Sequence, residues 1–391
     1  MVHNRRGSSM VLLTLFSAVS LFYLGATLFL FCGLKRLSSH SNGPKNLTYS
    51  IVIAARNEET TIAACLESVF SQTIDPHRYE VILVDDRSND RTVDVAKSLA
   101  AKHPKLSILT IQQTPAGLSP KKHAVSQGVT RAKNEIVVFT DADCRVPPTW
   151  LDTIDRQFAA DVGLVQGVTT YSYVKGMNAF FFGVQALDFL SHGIVAAAAI
   201  GSGFPLNSNA NNLAFRKAAF DQLGGYGSAG SVVSGDDDLL LQRIGKCKKW
   251  AIRYMVDPHG AVETSPALTV KAMFEQRKRW GSKTVHYNKQ QVVFLGGIFC
   301  FYLSIMASFL AALFSPKLWF VFAGMLLVKL LGESILMIPG TALFNKKELR
   351  SYIVPASILQ PPMVVCAVVL GVFGKFTWKG QSYSRMIHAK K

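Results

Sequence analysis

Residues 10–34 read MVLLTLFSAVSLFYLGATLFLFCGL, an uncharged run that stops at Lys35-Arg36. As a helix it is long enough to cross a hydrocarbon layer of ~30 Å. The apolar core is longer than that of a signal peptide, and no small-residue cleavage site ends it, so a retained anchor is expected. A polar linker follows, with Ser38, Ser39, Ser41, Asn42, Gly43 and Pro44. Three more apolar segments, 291–314, 318–339 and 353–376, crowd the other end of the chain. Lys329 and Glu333 stand four apart on one helical face of the middle segment, which suits an internal ion pair. The last contains Pro355, Pro361 and Pro362, leaving a kinked span or a re-entrant hairpin open.

The charge pattern bears on topology. A net charge of +17 could suit a nucleic acid, but no basic-aromatic repeat or nucleic-acid motif supports that partner. Lys and Arg beside apolar segments instead hold a chain against anionic membrane lipids and set its orientation. A cytosolic catalytic part after one anchor puts Arg5 and Arg6 outside. Three complete C-terminal crossings would also export Lys375, Lys379, Arg385, Lys390 and Lys391, against the positive-inside rule. A re-entrant last segment with a cytosolic tail is therefore expected. The six cysteines are scattered without a CxxC, which suggests neither a zinc site nor a disulfide framework and fits a reducing compartment.

Between these ends the pattern changes. Residues 50–55 (SIVIAA), 80–85 (EVILVD), 106–111 (LSILTI) and 135–140 (EIVVFT) read as strands. Stretches 59–72, 92–103 and 122–132 between them have helical length and composition. Strands apolar on both faces and separated by helices imply an α/β fold with a parallel sheet covered by helices. Ligands bind such sheets beyond the carboxyl ends of the strands. Stretch 176–206 is also apolar, with FFFG and VAAAAIG, but Asp188, His192 and several glycines interrupt it. As a span it would put Asp143 and Asp237 on opposite sides of the membrane. An amphipathic or interfacial segment lining the mouth of the site is expected instead.

Four clusters carry the chemistry. Asp141-Ala142-Asp143 directly follows the strand EIVVFT, and two carboxylates there can share Mg²⁺ or Mn²⁺ gripping a diphosphate. Asp85-Asp86 ends the strand EVILVD, where a carboxylate can accept a hydrogen bond from a nucleobase. Gly235-Asp236-Asp237-Asp238 opens the helix LLLQRI. Adjacent desolvated acids raise one another's pKa, so one could serve as general base toward a hydroxyl, or the run could stabilise the helix N-terminus. Gln276, Arg279 and Trp280 share one face of an amphipathic helix at 268–284, where arginine could neutralise a departing diphosphate and tryptophan could stack on a sugar or acceptor. Lys121-Lys122 precedes another helix and suits phosphate or solvated surface equally.

Together, VDDRSNDRT, FTDADC, SGDDDLLLQRI and QRKRW resemble the membrane-anchored branch of the family 2 glycosyltransferases, which have a GT-A fold. IVIAARNEE resembles the family's first strand and loop, and SNANNLAFRK its acceptor-side segment. The resemblance implies a Rossmann-like nucleotide-diphospho-sugar transferase domain with transmembrane helices at both ends. Its expected divisions are an anchor and linker at 1–45, a catalytic domain with an interfacial helix at 46–287, and a membrane region with a basic tail at 288–391. Residue by residue, it implies Asp85 and Asp86 at the nucleobase and Lys121 at the diphosphate. Asp143, helped by Asp141, would hold the metal, and Asp237, beside Asp236, would act as catalytic base. Gln276, Arg279 and Trp280 would face pyrophosphate and acceptor. Asp236 departs from the Glu common in relatives, and Asp238 adds a third acid.

The implied activity is inverting transfer from a UDP- or GDP-linked sugar to a hydroxyl of a lipid or glycan acceptor. It is expected at the cytosolic face of a bacterial plasma (inner) membrane. Three C-terminal segments are few for a secretion channel, which favours a single sugar on a lipid over a small processive polysaccharide synthase. A non-catalytic nucleotide-binding membrane partner is the remaining alternative, and degraded acidic motifs would have favoured it.

Overall fold

The computed structural model describes residues 2–37, 46–379 and 381–383. The linker at 38–44, the side chains of Arg5 and Arg6, and Arg385, Lys390 and Lys391 lie outside the described part.

A long helix, α1 (Val2–Arg36), leads into alternating strands and helices: β1 (Tyr49–Ala55), α2 (Ile62–Phe70), β2 (Tyr79–Asp85), α3 (Thr92–Ala100), β3 (Leu106–Thr110), α4 (Pro120–Arg131) and β4 (Ile136–Phe139). Then come α5 (Trp150–Asp155), β5 (Val162–Gly167), β6 (Thr169–Tyr171), α6 (Ala179–Gly201), β7 (Leu213–Arg216), α7 (Lys217–Gln222), α8 (Asp238–Cys247), β8 (Ala251–Met255), β9 (Val262–Thr264) and α9 (Val270–Ser282). Three long helices, α10 (Lys289–Ala312), α11 (Trp319–Leu343) and α12 (Ile353–Phe373), precede a hairpin of β10 (Phe376–Trp378) and β11 (Gln381–Tyr383).

Seven strands form one sheet in the order β3-β2-β1-β4-β7-β5-β8. The first four run parallel, as two-faced burial predicts. Ile51 and Ile53 of β1 face one core with Ile62, Leu66 and Trp150, while Val52 faces another with Val125, Val129 and Leu240. Gly128 lets α4 approach the sheet, since a Cβ there would lie 2.4 Å from Val52. The sheet is mixed beyond β4, because β7 pairs antiparallel with both β4 and β5. Four residues long, β7 carries too little period to be read from sequence.

Five helices among the described residues are long and apolar enough to cross a membrane: α1, α6, α10, α11 and the segment containing α12. They divide into two kinds. One end of α1 meets α6 where Gly33 and Gly201 touch. Gln291 near the start of α10 donates to Pro205 O at 2.7 Å, and Phe344 after α11 packs on Tyr254 of β8. These three helices run from the sheet side outward. By contrast, α6 and α12 have both ends on the sheet side. α6 runs from the segment after β6 to the segment before β7. α12 starts beside Tyr352, which packs on Gly183 of α6, and ends where Gly371 touches Lys278 of α9.

α12 is therefore a continuous, proline-bearing helix that begins and ends on the sheet side, and its proline segment forms no hairpin. α6 is buried between the sheet and α1, α11 and α12, with Leu190, Ala196, Ala197 and Ala198 fully enclosed. Its apolar character all round reflects that sandwich, which corrects the amphipathic expectation while keeping its place at the site's mouth. The ion pair in α11 forms: Lys329, fully buried, meets Glu333 and donates to Gln360 Oε1 of α12 at 2.9 Å. Tyr302 of α10 donates to the same Gln360 oxygen at 3.0 Å, tying three helices together.

Candidate active site

Parallel strands β1, β2 and β4 end on one edge of the sheet and open a cavity of about 650 Å³. From β1 the chain enters Arg56, Asn57 and Glu58, and from β2 it enters Asp86 and Arg87. Asn57 and Arg87 hold left-handed backbone, at φ 54° and 59°. Side-chain bonds lace the two turns together: Asn57 N donates to Ser88 Oγ at 3.0 Å, and Glu58 N to Thr92 Oγ1 at 2.7 Å. The residues of RSNDRT thus shape the mouth of the cavity.

Asp86 faces this cavity and accepts from Arg87 Nε at 2.9 Å, with Arg56 3.8 Å away. Asp85 does not face it. Its side chain is buried and accepts from Ser88 N at 3.2 Å, fixing the turn. Of the two acids expected at a nucleobase, Asp86 alone lines the cavity, because successive strand residues point to opposite faces.

Asp141 and Asp143 follow β4 and both line the cavity. Asp143 is recessed in the wall yet open to water. Burial, then repulsion from Asp141 and Glu58, raises its pKa to about 6. Lys121, near the start of α4, reaches Asp141 Oδ1 at 2.9 Å and Asp236 Oδ2 at 3.1 Å, joining two of the four clusters. Those two carboxylates outweigh burial and raise the Lys121 pKa. Its neighbour Lys122, 2% exposed, turns the other way. Its ammonium donates to the carbonyls of Ala229, Val232 and Ser234 at 2.8, 2.8 and 3.0 Å. Burial lowers its pKa to about 8. The paired lysines are therefore neither solvated nor equivalent.

Gly235, at φ 82°, turns the chain into the acid run. Asp236 is buried, but the ammonium groups of Lys121, Lys122 and Lys283 outweigh that burial and hold its pKa at about 2. This reverses the mutual upward shift expected for Asp236. Asp237 caps α8, accepting from Asp238 N at 2.7 Å, from Ala210 N at 3.1 Å and from Lys283 at 3.3 Å. Asp238 points inward to Ser208 N, Tyr287 OH and Lys283, and burial followed by Asp237 raises its pKa to about 6. The segment SNANNLAFRK braces these parts: Asn211 donates to Cys144 Sγ at 2.9 Å beside Asp143, while Ala210 N holds Asp237.

On α9, Gln276, Arg279 and Trp280 all line the cavity. Gln276 Oε1 accepts from Tyr171 OH at 3.3 Å. Among the described residues, the Arg279 guanidinium has no carboxylate within ion-pair distance, and it lies 5.4 Å from the Trp378 ring. Trp280 stacks near Phe189 and His192 of α6. Sequence reasoning missed Arg277, whose Nε donates to Asp188 Oδ2 at 2.8 Å, both residues being buried. A lone Asp inside an apolar stretch was the available signal, since a buried charge needs a partner. The remaining wall is apolar and runs between α10 and α12, with Leu295, Phe299, Met363 and Val364.

A family model of glycosyl transferase family 21 matches residues 12–385. The chain belongs to that family. It is a glycosyltransferase, and the expected transferase class with membrane-anchoring helices stands. Relatives include the beta-monoglucosyldiacylglycerol synthases of Synechocystis sp., 25% identical over 59% of this chain and 46% of theirs, and of Trichormus variabilis, 27% identical over 59% and 47%. The chain spans about half the length of these curated relatives. Among solved structures, a mannosyltransferase from Pyrobaculum calidifontis, in complex with GDP-Man and Mn²⁺, superposes with a TM-score of 0.58 at 18% identity, over 93% of this chain and 99% of its own. The fold is GT-A.

The residues present suit a divalent cation. Among the described residues no three His, Cys, Asp or Glu side chains converge on a common point. Hard cations at phosphate sites, however, use one or two carboxylates completed by substrate oxygens and water. Asp141 and Asp143 supply that donor set, both of them on the wall of the cavity.

Proposed function

We propose that this family member moves one sugar, with inversion, from a UDP- or GDP-linked donor to a hydroxyl of a lipid or lipid-like acceptor. The reaction takes place at the cytosolic face of a bacterial plasma membrane. A single cavity supports this reading. One end is walled by Asp86, Asp141, Asp143, Lys121 and Arg279, and the other by apolar side chains of α10 and α12. A charged nucleotide and a hydrocarbon chain can thus meet in one space. The named activity of the diacylglycerol-glucosylating relatives supports an acceptor of that kind. Residues 46–287 form the catalytic part, and 288–391 its membrane region and tail.

In this mechanism Asp86 receives a hydrogen bond from the base, and Gln276 and Trp280 border the acceptor. Asp141 and Asp143 would hold Mg²⁺ or Mn²⁺, which supplies positive charge to the diphosphate leaving group. Arg279 and Lys121 add fixed cations beside it, where charge develops in the transition state. Asp237, held in place by Lys283 and two backbone N–H groups, removes the acceptor proton as the hydroxyl attacks the anomeric carbon.

Incubating purified protein with labelled nucleotide sugars and extracted lipids should yield a single-sugar lipid, and a polymeric product would replace this reading with a polysaccharide synthase. Full activity in Asp237→Asn, with fold and nucleotide binding intact, would remove Asp237 from its role.

A further inference from the structure

The C-terminal hairpin crosses the cavity instead of trailing from α12. Phe376 is buried, and Thr377 N donates to Glu275 Oε2 of α9 at 2.7 Å. Trp378 stands over Arg279 at 5.4 Å. Lys379 reaches across 321 positions of sequence to Glu58 Oε1 at 2.6 Å. Tyr383, at the far end, sits in the field of Arg56, Asp86 and Arg87. One short hairpin therefore passes the arginine of QRKRW, the acids beside Asp143 and the Asp86 corner in turn.

The cavity's other cations are largely committed. Lys121 is held by Asp141 and Asp236, Lys283 by Asp237 and Asp238, and Arg277 by Asp188. Arg279 has no carboxylate within ion-pair distance among the described residues, while Arg56 and Lys379 each have one such partner, Asp86 and Glu58. Lys379 holds left-handed backbone at φ 48°, as the tight turn joining β10 to β11 requires. Its pair with Glu58 is partly exposed, at 31% and 14%, so the contact is weak and readily exchanged for phosphate oxygens.

We propose that Lys379 is a direct ligand of the donor's diphosphate and that the hairpin, with Trp378 backing Arg279, completes the nucleotide site. Glu58 holds the ammonium in place until the diphosphate arrives. The proposal rests on the nucleotide-sugar reading above. It assigns to residues beyond the last long helix a part in binding that the four sequence clusters do not contain.

Titration calorimetry on the full-length protein in detergent, with UDP and with GDP, each plus Mn²⁺, tests it. Lys379→Ala should weaken binding of the recognised diphosphate by about 10- to 100-fold, as expected for losing one charge-assisted hydrogen bond. Lys379→Arg should recover part of that loss, and the salt dependence of binding should flatten in Lys379→Ala. A chain stopped after Lys375 should bind at least as weakly as Lys379→Ala, with α-helical content retained. Wild-type affinity in Lys379→Ala, or in the shortened chain, overturns the proposal alone. Failure of the wild-type protein to bind either diphosphate overturns the reading of a UDP- or GDP-linked donor and the proposal with it.

Discussion

Replacing Lys122 by methionine separates a hidden structural role from the visible catalytic ones. Its ammonium is the common donor to Ala229, Val232 and Ser234, three carbonyls of the segment that delivers Asp236 and Asp237. Moving the pKa from 10.5 to about 8 means that keeping the group charged costs about 3 kcal/mol. Against this, each buried carbonyl left without a donor costs about 1–3 kcal/mol. Three such losses exceed the recovered desolvation, so Lys122→Met should lower stability by about 3 kcal/mol, with the loss concentrated at 229–235. Hydrogen exchange across that segment and thermal melting would measure it, together with weaker nucleotide binding. The native pKa lies below the ordinary value, so the unfolded chain binds more protons between about pH 8 and 10.5. The contribution of Lys122 to stability therefore rises with pH across that window, and the rise should vanish in Lys122→Met. Unchanged exchange at 229–235 would refute the staple.

Asp188→Asn should destabilise the protein by about 3–5 kcal/mol, because it leaves Arg277 buried without its counter-charge. Asp188→Leu with Arg277→Met should regain most of that in thermal melts. Lys329→Met should lower the melting temperature in detergent by stranding Glu333, and adding Glu333→Gln should restore it, since the pair is closed off by Ser357 and Gln360. Asp143→Asn should abolish the Mn²⁺-dependent part of nucleoside-diphosphate binding, as should a chelator with the native protein. Binding equal with and without metal would refute the assignment of Asp141 and Asp143 as its ligands.

Local patterns carried much of the fold. β1 to β4 and the intervening helices lie within a few residues of their expected bounds, because burial on both strand faces and helical spacing are written in adjacent positions. The Lys329–Glu333 pair was legible for the same reason, being one helical turn apart. The orientation of β7 was not, since an antiparallel strand inserted in a parallel sheet depends on the path of α6 between them. Nor was the staple at Lys122, because backbone carbonyls carry no residue identity and its acceptors lie more than a hundred positions away. Lys379 escaped for a related reason. Its basic surroundings read as tail charge, and only the ending of α12 on the sheet side brings it to Glu58. Asp85 could have been placed correctly, since strand alternation separates it from Asp86.

The acid run shows where residue type stops being informative. Asp236, Asp237 and Asp238 are chemically identical and adjacent, so sequence offers three candidates for one proton transfer. Their partners divide them. Asp236 faces three ammonium groups that hold its pKa at about 2, which favours a fixed negative charge over a proton acceptor. Asp238 turns into the protein toward Tyr287 and the Ser208 backbone, where it anchors α8 and borders the cavity least openly. Asp237 alone combines a cavity-facing position with N-capping bonds that fix its direction. Those same bonds explain why a helix cap and a catalytic base need not be rival readings. The backbone N–H groups fix the direction of the carboxylate, which the proposed mechanism needs in order to aim a lone pair at the acceptor hydroxyl. The helix N-terminus is thus the means by which α8 holds the proposed base, and the segment stapled by Lys122 leads directly into that helix.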